Sequence, residues 1–335
     1  MLRFQMAPLS VKNSYHVVIH AGSVVLAVIT QVISDAFFNL AKDRNVPNAL
    51  FRTSSWNVSE TFPLDVTMDW WSESYWIIID FWSKAWLLYA VISLCKRNVL
   101  GPESCNPEIH PPRFFMMWAM INIARVCGMF LWDRHDILGA VILRWTQSLL
   151  SFYMLYVSHS NLNKHKAWLG INKPSVISWT RYLTQNGLAM FAWWSLLNAV
   201  VGLGIVFKYK AGVQDPLVST FVITLVALYA ITWFILQSLL LTKYLRHTFT
   251  VYAILILGLG AMFTRSYGVR DFSANTVYCG FLMLLMTIMS SIHLISECLH
   301  TDKPSKPLPQ VPYQMFEGSE TVWQPEGNIK HIFQK

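Results

Sequence analysis

Eight long apolar stretches restrict the folds that this 335-residue chain can adopt. They cover residues 15–38, 75–94, 114–132, 137–158, 182–207, 217–241, 249–262 and 276–299, and the seventh needs flanking residues to reach across a bilayer. A bilayer core of about 30 Å requires roughly 20 apolar residues in a helix. Because lipid offers no partners to backbone polar groups, each stretch is expected to be helical. The sequence therefore predicts an all-α, polytopic transmembrane bundle of about eight spans.

The shortage of charged residues argues against an ordinary cytosolic enzyme. Charged side chains make up 13% of the chain, whereas soluble domains carry about 25%. The net charge of +8 is compatible with a nucleic-acid binder. The Lys and Arg residues, however, lie between apolar stretches and not on one basic face. We therefore expect a lipid bilayer, and no nucleic acid, as a partner.

Basic residues and a glycosylation motif predict the orientation. Most Lys and Arg residues outside the spans fall on the side of the N-terminus, and such residues prefer cytoplasmic loops. This places residues 1–14 and a disordered, proline-containing tail, 300–335, in the cytoplasm, and the loop 39–74 outside. Asn57-Val58-Ser59 in that loop is an N-glycosylation motif. Glycosylation at Asn57 predicts the plasma membrane or another membrane of the secretory pathway.

The first span leaves a second topology open. If it were a cleaved signal peptide, seven spans with an outside N-terminus would remain, which is the topology of sensory and signalling receptors. The apolar run 17–33 is long for a signal peptide, so a retained first helix is favoured. Residues 15–299 then form one eight-helix membrane domain.

Four ionisable residues lie inside the predicted spans, namely Asp80, Lys84, Arg125 and Arg144. Such charges cost about 2.5–3.5 kcal/mol each on insertion scales and mark functional sites by default. Asp80 and Lys84 are four residues apart, so they can neutralise each other on one helix face. The three cations predict an anionic ligand, with Asp80 as the counter-ion of the empty site. A buried ionic network that only fixes helix packing explains the same residues equally well.

Amide and indole side chains extend this candidate site. Asn122 shares a helix face with the arginine of the third span, Trp194 aligns with Asn198, and Gln237 aligns with Trp233. Indoles beside amides are typical of a pocket for a flat hydrophobic ligand, and also of ordinary helix packing. All 14 prolines lie outside the spans or at their edges, which predicts straight helices.

The chain carries no recognisable catalytic or metal-binding motif. His16 and His20 are four residues apart on the first span, but no second pair matches them. Nucleophile-elbow, zinc-protease and phosphate-loop motifs are absent. We expect no catalytic residue, no metal, no cofactor and no enzymatic activity.

The segment 70–158 resembles the tryptophan-rich TspO/MBR-type membrane proteins. The resemblance implies binding of hydrophobic ligands such as tetrapyrroles or sterols. Arg125 stands where that family has its second aromatic residue, and eight spans exceed the family's usual five. The residues that carry the resemblance are Trp76 and Trp86, then Asn122, Met129-Phe130-Leu131-Trp132, Asp133-Arg134 and Trp145.

The predicted function is the binding or transport of a small, partly hydrophobic, anionic ligand by a multi-pass membrane protein. The alternatives are a seven-helix-type receptor and a structural membrane subunit without a ligand. A homo-oligomer is left open. The predicted ligand-binding residues are Asp80, Lys84, Asn122, Arg125, Arg144, Trp194 and Gln237.

Overall fold

The computed structural model describes residues 14–42, 50–98, 101–270 and 272–299. Most of the predicted cytoplasmic N-terminus and the whole predicted tail, 300–335, lie outside these residues. The chain divides into a unit of residues 1–295 and a second unit of residues 296–335. The helices lie in the first unit, except that the last residues of the final helix belong to the second.

Eight of the described helices are long and apolar enough to cross a membrane, which confirms the predicted all-α bundle. The seventh span, Thr250–Val269, extends beyond the predicted apolar core, as its shortness required. In chain order the helices are α1 (Ser14–Lys42), α2 (Ser55–Thr61), α3 (Ser74–Cys95), α4 (Pro112–Asp133), α5 (Ile137–Asn172), α6 (Pro174–Trp179), α7 (Asn186–Tyr209), α8 (Asp215–Ile235), α9 (Thr242–Leu245), α10 (Thr250–Arg270) and α11 (Ala274–Leu299). A 3₁₀ turn, Trp70–Glu73, precedes α3, and two-residue strands, β1 (Arg97–Asn98) and β2 (Gly101–Pro102), form an antiparallel pair after it.

Helix α7 is the centre of the bundle and the most buried of the eight spans. Two glycines permit this position. A Cβ on Gly202 would lie 2.8 Å from Val141 of α5, and one on Gly204 would lie 2.6 Å from Val222 of α8. Since a larger residue would push these helices apart, both glycines permit close helix packing.

Two spans depart from the regular helix that the proline distribution predicted. The chain forms π-helical turns at Thr180–Gln185, before α7, and at Leu236–Leu240, after α8. The amide of Asn186 donates to the carbonyl of Arg181, at 2.9 Å, within the first wide turn. Prolines and glycines are therefore not the only cause of irregularity in these spans, because a side-chain amide can bond the backbone of a π turn.

Residues 50–74 fold over one end of the bundle, which we call the outer end. The Asp133 carboxylate, at the end of α4, accepts from the backbone N–H groups of Arg52 and Thr53 at 2.9 and 3.0 Å. Lys208 donates to the carbonyl of Pro63, and the indole of Trp71 donates to Thr264 at 3.0 Å. This part of the predicted outer loop is therefore a structured cap over the helix ends.

Candidate functional site

A cavity of about 180 Å³ lies below this cap, among α1, α3, α4, α5 and α7. Its wall contains four tryptophans, two arginines and several small polar side chains. The wall includes Phe38, Trp76, Arg125, Trp132, Arg144, Trp194 and Ser195, and the rim includes Lys42 and Glu73.

Arg125 is the most buried charged residue of the wall. Its Nη1 and Nη2 atoms donate to the two carboxylate oxygens of Asp80 at 2.8 and 3.0 Å. The guanidinium carbon lies 4.6 Å from the ring centres of both Phe38 and Trp76. A bidentate pair with cation–π contacts satisfies a buried guanidinium well.

Asp35 joins this pair to Lys84. Its Oδ2 lies 2.7 Å from the Lys84 ammonium, and its Oδ1 lies 3.9 Å from Nη1 of Arg125. Gln31 donates to Asp35 at 2.8 Å and accepts from the indole of Trp118 at 3.1 Å. The two acids and two cations form a network without net charge. The expected pairing of Asp80 with Lys84 is therefore wrong, because each residue has a closer partner on a neighbouring helix.

Arg144 differs from the other intramembrane charges. It is partly buried in the wall and forms no ion pair or hydrogen bond with any residue that the structure describes. Its guanidinium carbon lies 4.4 Å from the ring centre of Trp132. The cavity therefore contains an uncompensated positive charge beside an aromatic face.

Two residues of the wall carry hydrogen-bond donors without a partner among the described residues. The indole N–H of Trp194 and the hydroxyl of Ser195 are buried without a partner among the described residues. Among the described residues of the wall, Glu73 is the one that carries a carboxylate, and it lies at the rim, 4.0 Å from Lys42. The described wall thus carries three cationic side chains, Lys42, Arg125 and Arg144, and one carboxylate.

The structure brings only part of the predicted site together. Arg125, Arg144 and Trp194 lie in the wall, and Asp80 lies behind Arg125. Lys84 and Asn122 are not part of the wall. Asn122 is buried, and neither atom of its amide has a partner in the described part of the chain. Trp132 and Ser195 line the cavity but were not among the predicted ligand-binding residues, although Ser195 directly follows one of them.

Gln237 lies at the other end of the bundle, in the second π turn. Its amide donates to the carbonyls of Leu245 and Thr248 at 3.1 and 2.9 Å and accepts from the Tyr252 hydroxyl at 2.9 Å. Gln237 therefore stabilises the connection between α8 and α10. It does not line the outer cavity.

The inner end holds a second cavity of about 40 Å³ beside His20 and His110. Burial, and to a lesser degree the nearby His20, lowers the pKa of His110 to about 3, so this ring is neutral at physiological pH. Glu108 lies 3.3 Å from His16 and 3.9 Å from His20. No group of three or more His, Cys, Asp or Glu residues in the described ranges could hold a metal ion.

Similarity to known proteins does not assign a function to these features. No protein-family model matches the chain, and neither a curated protein nor a solved structure does. The resemblance to the TspO/MBR-type proteins therefore stays a prediction. The structure itself characterises the chain as an all-α protein with eight helices that could span a membrane.

Proposed function

We propose that this multi-pass membrane protein binds a small, partly hydrophobic anion in its outer cavity. The observation that carries the proposal is Arg144, a cation in the cavity wall that has no acidic partner among the described residues. A charge inside the membrane normally pairs with another group or faces a water-filled path. A bound carboxylate or similar anion would supply the missing partner.

The chemistry of the wall supports a ligand with a flat apolar part. Trp132 and Trp194 place aromatic rings in the wall, and the Trp194 indole N–H and the Ser195 hydroxyl are buried beside the cavity without a partner among the described residues. Charge-assisted bonds to a guanidinium are about twice as strong as neutral ones. An anionic group at Arg144 with an apolar body against the indoles therefore uses both properties of the site. Hydrophobic ligands are also what the TspO/MBR resemblance implies.

Binding is the activity that this geometry supports better than passage through a pore. Trp86, Trp118, Phe114 and Phe115 are all buried and lie further towards the inner end of α3 and α4 than the ionic network. Trp86 and Trp118 pack edge to face with ring centres 5.1 Å apart. Transport of the ligand would require this aromatic cluster to open.

Arg144→Gln is expected to weaken the binding of benzoate, used as a probe anion, by about 10- to 100-fold, because a charged hydrogen bond is worth about 1.5–3 kcal/mol. Isothermal titration calorimetry on the purified protein in nanodiscs measures the affinity. Benzamide, which has the same shape without the charge, is expected to bind weakly to both proteins.

Arg134→Gln is the matched control, since Arg134 lies at the same end of the bundle, is exposed and is not part of the wall. Its benzoate affinity should equal that of the wild type. If benzoate binds no better than benzamide, or binds Arg144→Gln unchanged, the anion site is wrong and the structural interpretation of these charges is favoured.

The position of Asn57 makes the orientation testable. Asn57 is exposed near the start of α2 and does not line the cavity, so a glycan could be attached to it without filling the site. Expression in mammalian cells is expected to give a protein whose gel mobility increases after treatment with an N-glycosidase. Ser59→Ala should abolish this shift and Ser59→Thr should preserve it, because only the second keeps the motif. A wild-type chain without a shift would contradict the assigned outer end.

A further inference from the structure

Lys84 occupies an unusual place for a charge inside the membrane. Its side chain is 55% exposed and lies outside the cavity wall. It follows the first residue of α3 by ten positions, which is about 15 Å along the helix and close to the middle of a bilayer. In a monomer, the outward side of the bundle at this depth would contact the hydrocarbon chains of the lipids.

The neighbours of Lys84 on this face of α3 are apolar and exposed. Together with Lys84 they recur at steps of three or four residues, and Ile77, Phe81, Leu88 and Ile92 are exposed by 63%, 72%, 60% and 42%. An apolar stripe alone would simply face lipid. A single lysine in the middle of the stripe is instead typical of a helix–helix interface, where it specifies the register.

Exposure to lipid would be costly for this lysine. Insertion scales assign about 2.5–3.5 kcal/mol to a lysine at the centre of a span. Its distance from both helix ends prevents the side chain from reaching the interfacial water. Asp35, at 2.7 Å, compensates the charge but is only 13% exposed, so the surface that the pair presents to the surrounding hydrocarbon is mainly that of Lys84.

We propose that the exposed face of α3, with the adjacent Asp35 of α1, is the interface of a homodimer. The ion pair is complementary to a second copy of itself across a two-fold axis. Lys84 of one protomer would lie beside Asp35 of the partner subunit, and the same contact would occur a second time in the reverse direction. Each charge would gain a second opposite charge and lose its contact with lipid. Because a two-fold axis brings the same surface of two identical chains together, a second copy of this chain supplies both complementary charges.

Cysteine cross-linking at Phe81 tests the interface in native membranes. In a background with the five native cysteines replaced, Phe81→Cys is expected to form a disulfide-linked dimer when a copper–phenanthroline oxidant is added. The matched control is Phe281→Cys on α11. Phe281 is 61% exposed, and it follows the first residue of its helix by seven positions, as Phe81 does. The control should remain monomeric on a non-reducing gel.

Stepwise photobleaching of the labelled wild-type protein in nanodiscs made directly from membranes provides a second measurement. Two steps per particle are expected for the wild type and for Leu284→Lys, and one step is expected for Leu88→Lys. The two leucines are each 60% exposed, so both variants place a new charge on an equally exposed position. A difference between them therefore depends on which face of the bundle carries the charge. Single-step wild-type particles, equal cross-linking of both phenylalanine positions, or a cross-link from Phe81→Cys to a protein of another mass would overturn the homodimer.

Discussion

Asp80→Asn is expected to destabilise the protein by about 3–5 kcal/mol, because it leaves the Arg125 guanidinium buried without its bidentate partner. Asparagine has the shape of aspartate but no charge, so the loss reports the ion pair and not a cavity. Asp35 cannot replace the carboxylate, since it lies 3.9 Å from Arg125 and already pairs with Lys84. Thermal unfolding in nanodiscs, followed by tryptophan fluorescence, measures the effect as a lowered midpoint.

Glu60→Gln is the control for this substitution. Glu60 pairs with Arg265 at 3.1 Å, but the pair lies at the outer surface with Glu60 42% exposed. Exposed pairs contribute about 0–1 kcal/mol, so this variant should unfold close to the wild-type midpoint. Equal midpoints for Asp80→Asn and Glu60→Gln would show that the network near the cavity is not a stabilising element.

Asn186→Ala is expected to have a comparable effect at the inner end, with a loss of about 3 kcal/mol or more. The Asn186 amide donates to the carbonyls of Arg181 and His247, each at 2.9 Å. Its oxygen accepts from the backbone N–H groups of Phe249 and Thr250 at 3.1 and 3.3 Å. One side chain thus caps the start of α10 and ties it to the π turn before α7, and alanine leaves all four backbone groups without this partner.

The predicted local consequence is faster amide exchange. Hydrogen–deuterium exchange measured by mass spectrometry should increase in the peptide 246–252 before global unfolding occurs. Asn186→Asp should lie between the wild type and the alanine variant, because it keeps an acceptor and loses both donated bonds. Asn198→Ala, on the same helix, removes one bond to the carbonyl of Trp194 and should leave this peptide unchanged. Unaltered exchange in Asn186→Ala would contradict the capping role.

The spans were predictable because hydropathy is a local property of the chain. The two π turns were not predicted. A single polar side chain such as Asn186, which bonds the carbonyl of Arg181, does not change the hydrophobic periodicity from which helices are predicted. Gln237 shows the same difficulty. Its spacing from Trp233 indicated a ligand pocket, yet its bonds go to the connection between α8 and α10.

The sequence alone determined that the chain forms about eight apolar helices and that Asp80, Lys84, Arg125 and Arg144 lie within them. Both statements follow from the composition of short segments, because each segment must be long and apolar enough to cross the bilayer by itself. Only the tertiary structure decided which charge meets which. Spacing along α3 paired Asp80 with Lys84, but the rotation of each helix about its axis turned Asp80 towards α4 and Lys84 towards α1. Since that rotation depends on packing between distant segments, Arg144 could be recognised as the cation without an acidic partner among the described residues only after the helices were assembled.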